Sequence, residues 1–257
     1  MNLKKKLLVA ALATAMVFPT VSMASKLNVQ RYSGSSRVET AVNVSKDQFS
    51  SAKSAILVNQ LAFPDALSAT VLSKGTMPVL FSESNNISAD TLNQLKSMGV
   101  ENVYVLGGEK SVSSAVVNSV KSATNAKVVR INGADRYKTS AQIAAKLIDD
   151  KTTTLEIASG ENYADSLSSV GLANKTKSPI LLVQKNTLPT SIKEYLSSID
   201  KTKILKSYIV GGTNSISDSV KAEIDSILNL KSTRIAGHDR YKTSVEVSKI
   251  AYPNAKK

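Results

Sequence analysis

The sequence contains no cysteine and no tryptophan, a single histidine, and few aromatic residues of any kind. Without cysteine, neither disulfides nor thiolate metal sites can hold the chain together, so its stability must come from packed cores. Sparse aromatics, with lysines scattered rather than interleaved with tyrosines on one strand, argue against a nucleic-acid surface. The longest apolar stretch, Leu7 to Phe18, is interrupted by Thr14 and ended by Pro19, which leaves it too short to span a bilayer.

That stretch has another use. Lys4, Lys5 and Lys6 precede it and Ser22-Met23-Ala24 follows it, the order of a secretory signal with a small-x-small cleavage site. Residues 1–24 are therefore expected to be a signal peptide and Ser25 the mature start; a retained amphipathic anchor is disfavoured because no charged face accompanies the run. No membrane contact is expected once the signal is removed. Cleavage takes away three lysines and no acids, leaving 30 basic and 20 acidic residues and a formal charge of +10. Outside a bacterial membrane such a chain is drawn to polyanions, which there are wall polymers.

The strongest internal signal is repetition. Arg31-Tyr32-Ser33-Gly34-Ser35-Ser36-Arg37 recurs as Arg130-Ile131-Asn132-Gly133-Ala134-Asp135-Arg136 and as Arg234-Ile235-Ala236-Gly237-His238-Asp239-Arg240, 99 and 104 residues apart. Phe63-Pro64-Asp65-Ala66-Leu67-Ser68 matches Tyr163-Ala164-Asp165-Ser166-Leu167-Ser168, and Pro78-Val79-Leu80-Phe81 matches Pro179-Ile180-Leu181-Leu182. Val105-Leu106-Gly107-Gly108 matches Ile209-Val210-Gly211-Gly212. The period divides the mature chain into repeats at 25–129 and 130–233, with a partial third at 234–257.

Each repeat alternates helix and strand. After the glycine turn, one helix face is marked by Val38, Val42, Ser45 and Phe49, by Tyr137, Ala141, Ala144 and Ile148, and by Tyr241, Val245, Ser248 and Tyr252. Short apolar runs such as Ile56–Val58, Val79–Phe81, Leu155–Ala158 and Ile180–Val183 suit strands buried on both faces. The alternation predicts an α/β fold of tandem Rossmann-like modules with mostly parallel sheets. The third copy supplies a strand completing the second sheet and one amphipathic helix, which must dock on the second module or on another chain.

Several repeated residues invite a site. Ser36, Asp135 and Asp239 sit where helix N-caps belong, and Ser36 with Glu39 forms a capping box. Arg37, Arg136 and Arg240 fall at the first helical position, where a cation is disfavoured and needs a partner: a carboxylate such as Asp65 or Asp165, or an anionic ligand. Asp65 and Asp165 follow a strand at its carboxyl end without a repeated histidine, cysteine or second carboxylate, so acid/base and metal chemistry lack partners. Gly107-Gly108 and Gly211-Gly212, each followed by a serine-capped helix, could cradle a phosphate or merely turn the chain. They lack the spacing and lysine of a nucleotide loop, and no cofactor or metal is expected. His238 aligns with Ser35 and Ala134 and reads as a surface turn residue.

The combination of a signal segment, Arg-x-x-Gly-x-Asp-Arg-Tyr-x-Thr, Tyr-Ala-Asp-Ser-Leu, Pro-Ile-Leu-Leu-Val and a strand ending in Gly-Gly resembles the cell wall binding repeat 2 family of Gram-positive bacteria, over nearly the whole mature chain. The resemblance implies Rossmann-like (Toprim-like) units, three of which form one pseudo-threefold assembly, and non-covalent attachment of a surface protein to an anionic wall glycopolymer. It implies a non-enzymatic protein at the cell wall or surface, S-layer associated, with other wall-binding repeats or a second copy as possible partners. Arg37, Arg136, Arg240, Asp65, Asp165, Gly107, Gly108, Gly211, Gly212 and the run Pro179-Ile180-Leu181-Leu182 make up the expected polymer-binding set. Against the family pattern, the third repeat is expected to be partial and no accompanying enzymatic or adhesive domain is expected. The rival functions are a secreted Rossmann-like hydrolase and a surface packing protein that binds no polymer.

Overall fold

A computed structural model describes residues 29–255; the expected signal segment and mature start lie outside the described residues. From Tyr32 onward the chain forms one compact body. Its first half runs α1 (Arg37–Gln48), β1 (Ser54–Asn59), α2 (Phe63–Ser73), β2 (Val79–Ser82), α3 (Ala89–Ser97), β3 (Asn102–Leu106), α4 (Ser114–Thr124) and β4 (Lys127–Ile131). The second repeats it as α5 (Arg136–Leu147), β5 (Thr154–Ser159), α6 (Tyr163–Thr176), β6 (Ile180–Val183), α7 (Thr190–Ser198), β7 (Lys206–Val210), α8 (Asp218–Leu228) and β8 (Thr233–Ile235). Helix α9 (Arg240–Ala251) follows.

The strands form two four-stranded sheets, ordered β2-β1-β3-β4 and β6-β5-β7-β8, with every pair parallel. Strand β1 reads as a continuous apolar run because helices cover both faces of its sheet; Ala55, Ile56, Leu57 and Val58 are all fully buried, and the matching strand β5 is interrupted only by Glu156 between Leu155 and Ile157. The expected tandem Rossmann-like architecture is present. Strand β4 runs across the 129/130 boundary that the repeat period sets, so the first sheet is completed by residues of the second copy.

The arginine-glycine turns are built alike three times. In each, the backbone N–H of Gly34, Gly133 or Gly237 donates to the hydroxyl of Thr40, Thr139 or Thr243, one turn into the next helix. A side chain at Gly133 would stand 2.4 Å from Lys138 Cβ, so only glycine allows the turn to lie against the helix. Ser36, Asp135 and Asp239 cap as expected, accepting from the N–H of Glu39, Lys138 and Lys242. Two capping details differ. The carboxylate of Glu39 takes the N–H of Ser35 in place of that of Ser36, so the reciprocal box is not closed. Ser113 makes no side-chain cap at α4; Glu109 accepts from the Ser114 N–H in its stead.

Helix α5 is buried on two sides. It lies over β6 and also packs against α2 of the first half, joining the two halves through one apolar core. Tyr137, Ala141 and Ala144 belong to that core, as do Ile143 and Leu147. Helix α9 docks on α6, but not through the expected face. Thr243, Val247 and Ala251 are buried, whereas Tyr241, Val245 and Tyr252 are exposed. The reason is that the expected face corresponds to the sheet-facing side of α5, and no sheet lies against that side of α9 among the described residues.

Candidate functional site

In each sheet the chain steps from the first strand out to the second, then returns to the far side of the first. Crossovers diverge between β1 and β3, and between β5 and β7, the place where open α/β sheets form a crevice at their carboxyl ends. Asp65 lies in the first turn of α2 just after β1, and Gly107 just after β3, so the expected residues meet there. Gly107 has a φ of +99°, and a Cβ on it would stand 2.7 Å from Asp65 Oδ2. The second crevice repeats this with Gly211 at φ +122° and a Cβ position 3.1 Å from Asp165 Oδ2. There Ser215 donates to Asp165 Oδ2 at 2.6 Å. In the first crevice the Ser111 hydroxyl stands beside Asp65 without the geometry of a full hydrogen bond.

Both glycine turns are tied from the neighbouring strand. Arg130 Nη1 donates to the Gly107 carbonyl at 2.8 Å, and Arg234 Nη1 to that of Gly211 at 2.9 Å. Arg130 also pairs with Glu109 at 3.5 Å, and Arg234 with Asp218 at 2.9 Å. Burial pushes the Asp65 carboxyl up to about 6, with the charge of Arg136 and the Ser111 hydroxyl pulling the other way.

The crevice of the first half is closed by the second. Arg136, at the start of α5, donates from Nη1 to the Gly160 carbonyl at 2.6 Å, and its guanidinium lies 5.8 Å from the centre of the Phe63 ring. It acts on Asp65 through its charge, with no direct ion pair between them. A cleft of about 410 Å³ results, lined among others by Asp65, Gly107, Gly108, Lys110, Asp135 and Arg136. Two further carboxylates reach it, Asp135 and Glu109, and both are committed to helix N-termini.

The other expected residues lie apart. Arg37 and Arg240 are exposed, each at the start of a helix. Asp165, Gly211 and Gly212 form the second crevice, where the chain after β8 brings up a turn and a helix but no further strand among the described residues. Pro179, Ile180, Leu181 and Leu182 are buried in and before β6 beneath α5, and the Leu182 N–H donates to Ser140 Oγ at 3.1 Å. Their side chains are closed to a polymer arriving from outside. That motif recurs because it packs the edge of the sheet. The expected set therefore divides: Asp65, Gly107, Gly108 and Arg136 come together at the junction, and the rest do not join them.

Four residues contribute that the motifs do not assign to a site: Gly160, Arg130, Arg234 and Phe63. Gly160 lets Tyr137 approach to where a Cβ would be 2.6 Å away, and its carbonyl seats Arg136; the signal was that Gln60 stands there in the first copy. Arg130 and Arg234 were visible as repeat landmarks without a role. Phe63 was visible only as the first residue of a repeated hexapeptide.

The Cell wall binding domain 2 (CWB2) family model matches residues 31–117 and again 130–221. The chain is 36% identical over 222 residues to the N-acetylmuramoyl-L-alanine amidase LytC of Bacillus subtilis (strain 168), covering 86% of this chain and 42% of that protein. It is 33% identical over 221 residues to the amidase enhancer of the same organism, covering 85% of this chain and 29% of the relative. Of solved structures, Cwp6 from Clostridium difficile matches with a TM-score of 0.78 at 30% identity, over 90% of this chain and 38% of its own. Cwp8 from Clostridium difficile matches with a TM-score of 0.72, also at 30% identity, over 84% of this chain and 36% of its own. The chain thus spans less than half the length of each.

Proposed function

The chain belongs to the Cell wall binding domain 2 family, and from that premise we propose that it attaches non-covalently to the bacterial cell wall by binding an anionic wall glycopolymer. The carrying observation is the junction cleft, where Asp65 and the Gly107-Gly108 turn of one repeat face Arg136 of the next. A positive chain draws the polymer from a distance, and the cleft holds it. The working units are the repeats 25–129 and 130–233, with 234–257 opening a third. Export through residues 1–24 delivers the protein to the wall or cell surface.

We read the chain as non-enzymatic. Asp65 is raised by burial, but the carboxylates that share its cleft already serve as helix caps, which leaves acid/base chemistry without a second group. The exposed side of α9 is where another wall-binding repeat, or a second copy, would sit.

The test is retention on purified walls before and after chemical removal of the anionic polymer, at low and high salt. Retention that depends on the polymer and weakens with salt supports the reading. Retention unchanged by stripping the polymer, or turnover on a panel of hydrolase substrates, overturns it.

A further inference from the structure

The cleft itself is not a basin of positive charge. Asp65, Glu109 and Asp135 line it together with Arg136 and Lys110, so acids outnumber bases at the place where the polymer is held. A bare phosphate or carboxylate gains little from such a lining. Groups that both donate and accept hydrogen bonds fit it better, and hydroxyls are that kind.

An apolar step begins in the cleft wall at Phe63 and continues to Tyr163 just beyond it. Phe63 opens α2 and Tyr163 opens α6, the same position in the two repeats, and the packing of α2 on α6 brings their rings to 6.1 Å at 65°. Tyr163 is 54% exposed, and Leu61, on the cleft wall, is 73% exposed. Arg136 lies over the Phe63 ring with Nη1 fixed on the Gly160 carbonyl, which leaves its other N–H groups for a ligand oxygen. A pyranose has this composition in reverse: a face of C–H groups that lies on an aromatic ring, and a rim of hydroxyls.

We propose that the junction cleft recognises a neutral sugar ring of the wall polymer, stacked on the Phe63–Tyr163 step, and leaves the polymer's anionic groups to the basic surface outside. This rests on the wall-binding reading and names the part of the polymer that is read. The two recognition modes then separate by salt: the surface attraction is screened, and the stacking contact is not.

The experiment measures binding of the full mature chain to polymer-bearing walls, at low salt and at about 0.5 M salt. Tyr163→Ala weakens binding roughly tenfold at both, and Tyr163→Phe, which keeps the ring, binds as wild type. Phe63→Leu keeps the apolar bulk, removes the ring and gives a second, independent loss. Tyr241→Ala, at a tyrosine that is 77% exposed and not paired with the Phe63 ring, leaves binding unchanged. If Tyr163→Ala and Phe63→Leu bind as wild type, or Tyr163→Phe loses as much as Tyr163→Ala, the sugar step is overturned while wall binding stands. If the wild-type chain is not retained on walls at all, wall binding fails and the sugar step falls with it.

Discussion

Oxygen Oδ2 of Asp65 closes over Gly107 so tightly that a methyl group on that glycine would stand 2.7 Å from it. The φ of +99° there is itself one that side chains rarely adopt. Gly107→Ala therefore meets strain from both sources and should cost on the order of 2 kcal/mol, read from the urea midpoint. Gly211→Ala, where the same approach is 3.1 Å, should cost less. Equal costs would show that backbone conformation alone decides the matter.

Glu156 sits fully buried in β5, where the first repeat has Ile56. Ser178 and Thr176 donate to its Oε1, and Oε2 has no partner. Burial pushes its carboxyl from 4.5 up to about 8, with those two hydroxyls pulling it down. A carboxyl held protonated by the fold contributes stability that is fully present below its unfolded value and is lost as pH rises through the folded one. Wild type should then lose stability from about pH 4.5 to 8 through this group, and Asp65, raised from 3.8 to about 6, adds the same sign over its own lower window. Glu156→Gln should flatten the upper part of the curve, between pH 6 and 8, and Glu156→Ile should raise stability at pH 8 by a few kcal/mol. Thermal midpoints across pH 5 to 8.5 check it; a variant curve parallel to wild type would refute it.

Repetition made the alternating elements legible, down to the strands at Ile56–Val58 and Leu155–Ala158, because each copy cross-checked the other's periodicity. It also placed Asp65 and Gly107 at carboxyl ends of strands that a parallel sheet brings side by side. What a repeat cannot say is which of its residues touch the next repeat. Arg136 meets Phe63 and Gly160 because α5 packs both on α2 and on the second sheet. Arg240 has the same local sequence, and α9 packs on α6 as α5 does on α2, but no further sheet supplies a counterpart of Gly160 there among the described residues; Arg37 has no preceding helix of the α2 kind among them. Recurrence likewise gave Pro179–Leu182 the look of a site when the constraint there is burial. Periodicity marks the apolar sides of a helix, not which of them finds a surface to cover it.

That distinction sets an asymmetry between three arginines of one motif. Arg136→Ala removes a hydrogen bond to the Gly160 carbonyl and the contact with Phe63 at the junction. It should lower stability by about 1 to 2 kcal/mol and weaken wall retention several-fold. Arg37→Ala and Arg240→Ala, at exposed positions, should leave stability within about 0.5 kcal/mol of wild type. Three equal effects on retention would mean that each arginine meets the polymer independently of the junction.

Helix α9 offers the sharpest test of which side of an amphipathic helix does the packing. Its apolar residues fall into two groups: Val247 and Ala251, each 2% exposed and in a cluster with Leu172, Val210 and Ile235, and Tyr241, Val245 and Ile250, which are 77%, 45% and 40% exposed. A charge introduced at Val247 would be buried without a partner, so Val247→Asp should cost on the order of 3 kcal/mol or release the helix from α6. Tyr241→Ala and Val245→Ala remove side chains already in water and should stay within about 0.5 kcal/mol of wild type. Deleting residues 240–257 bares Leu172 and Ile235 and should lower the melting temperature by several degrees. Urea denaturation of the single variants decides the matter. Were Tyr241→Ala or Val245→Ala to cost as much as Val247→Asp, the helix would be seated in solution on its other side, against a surface supplied by a second copy or by a further repeat.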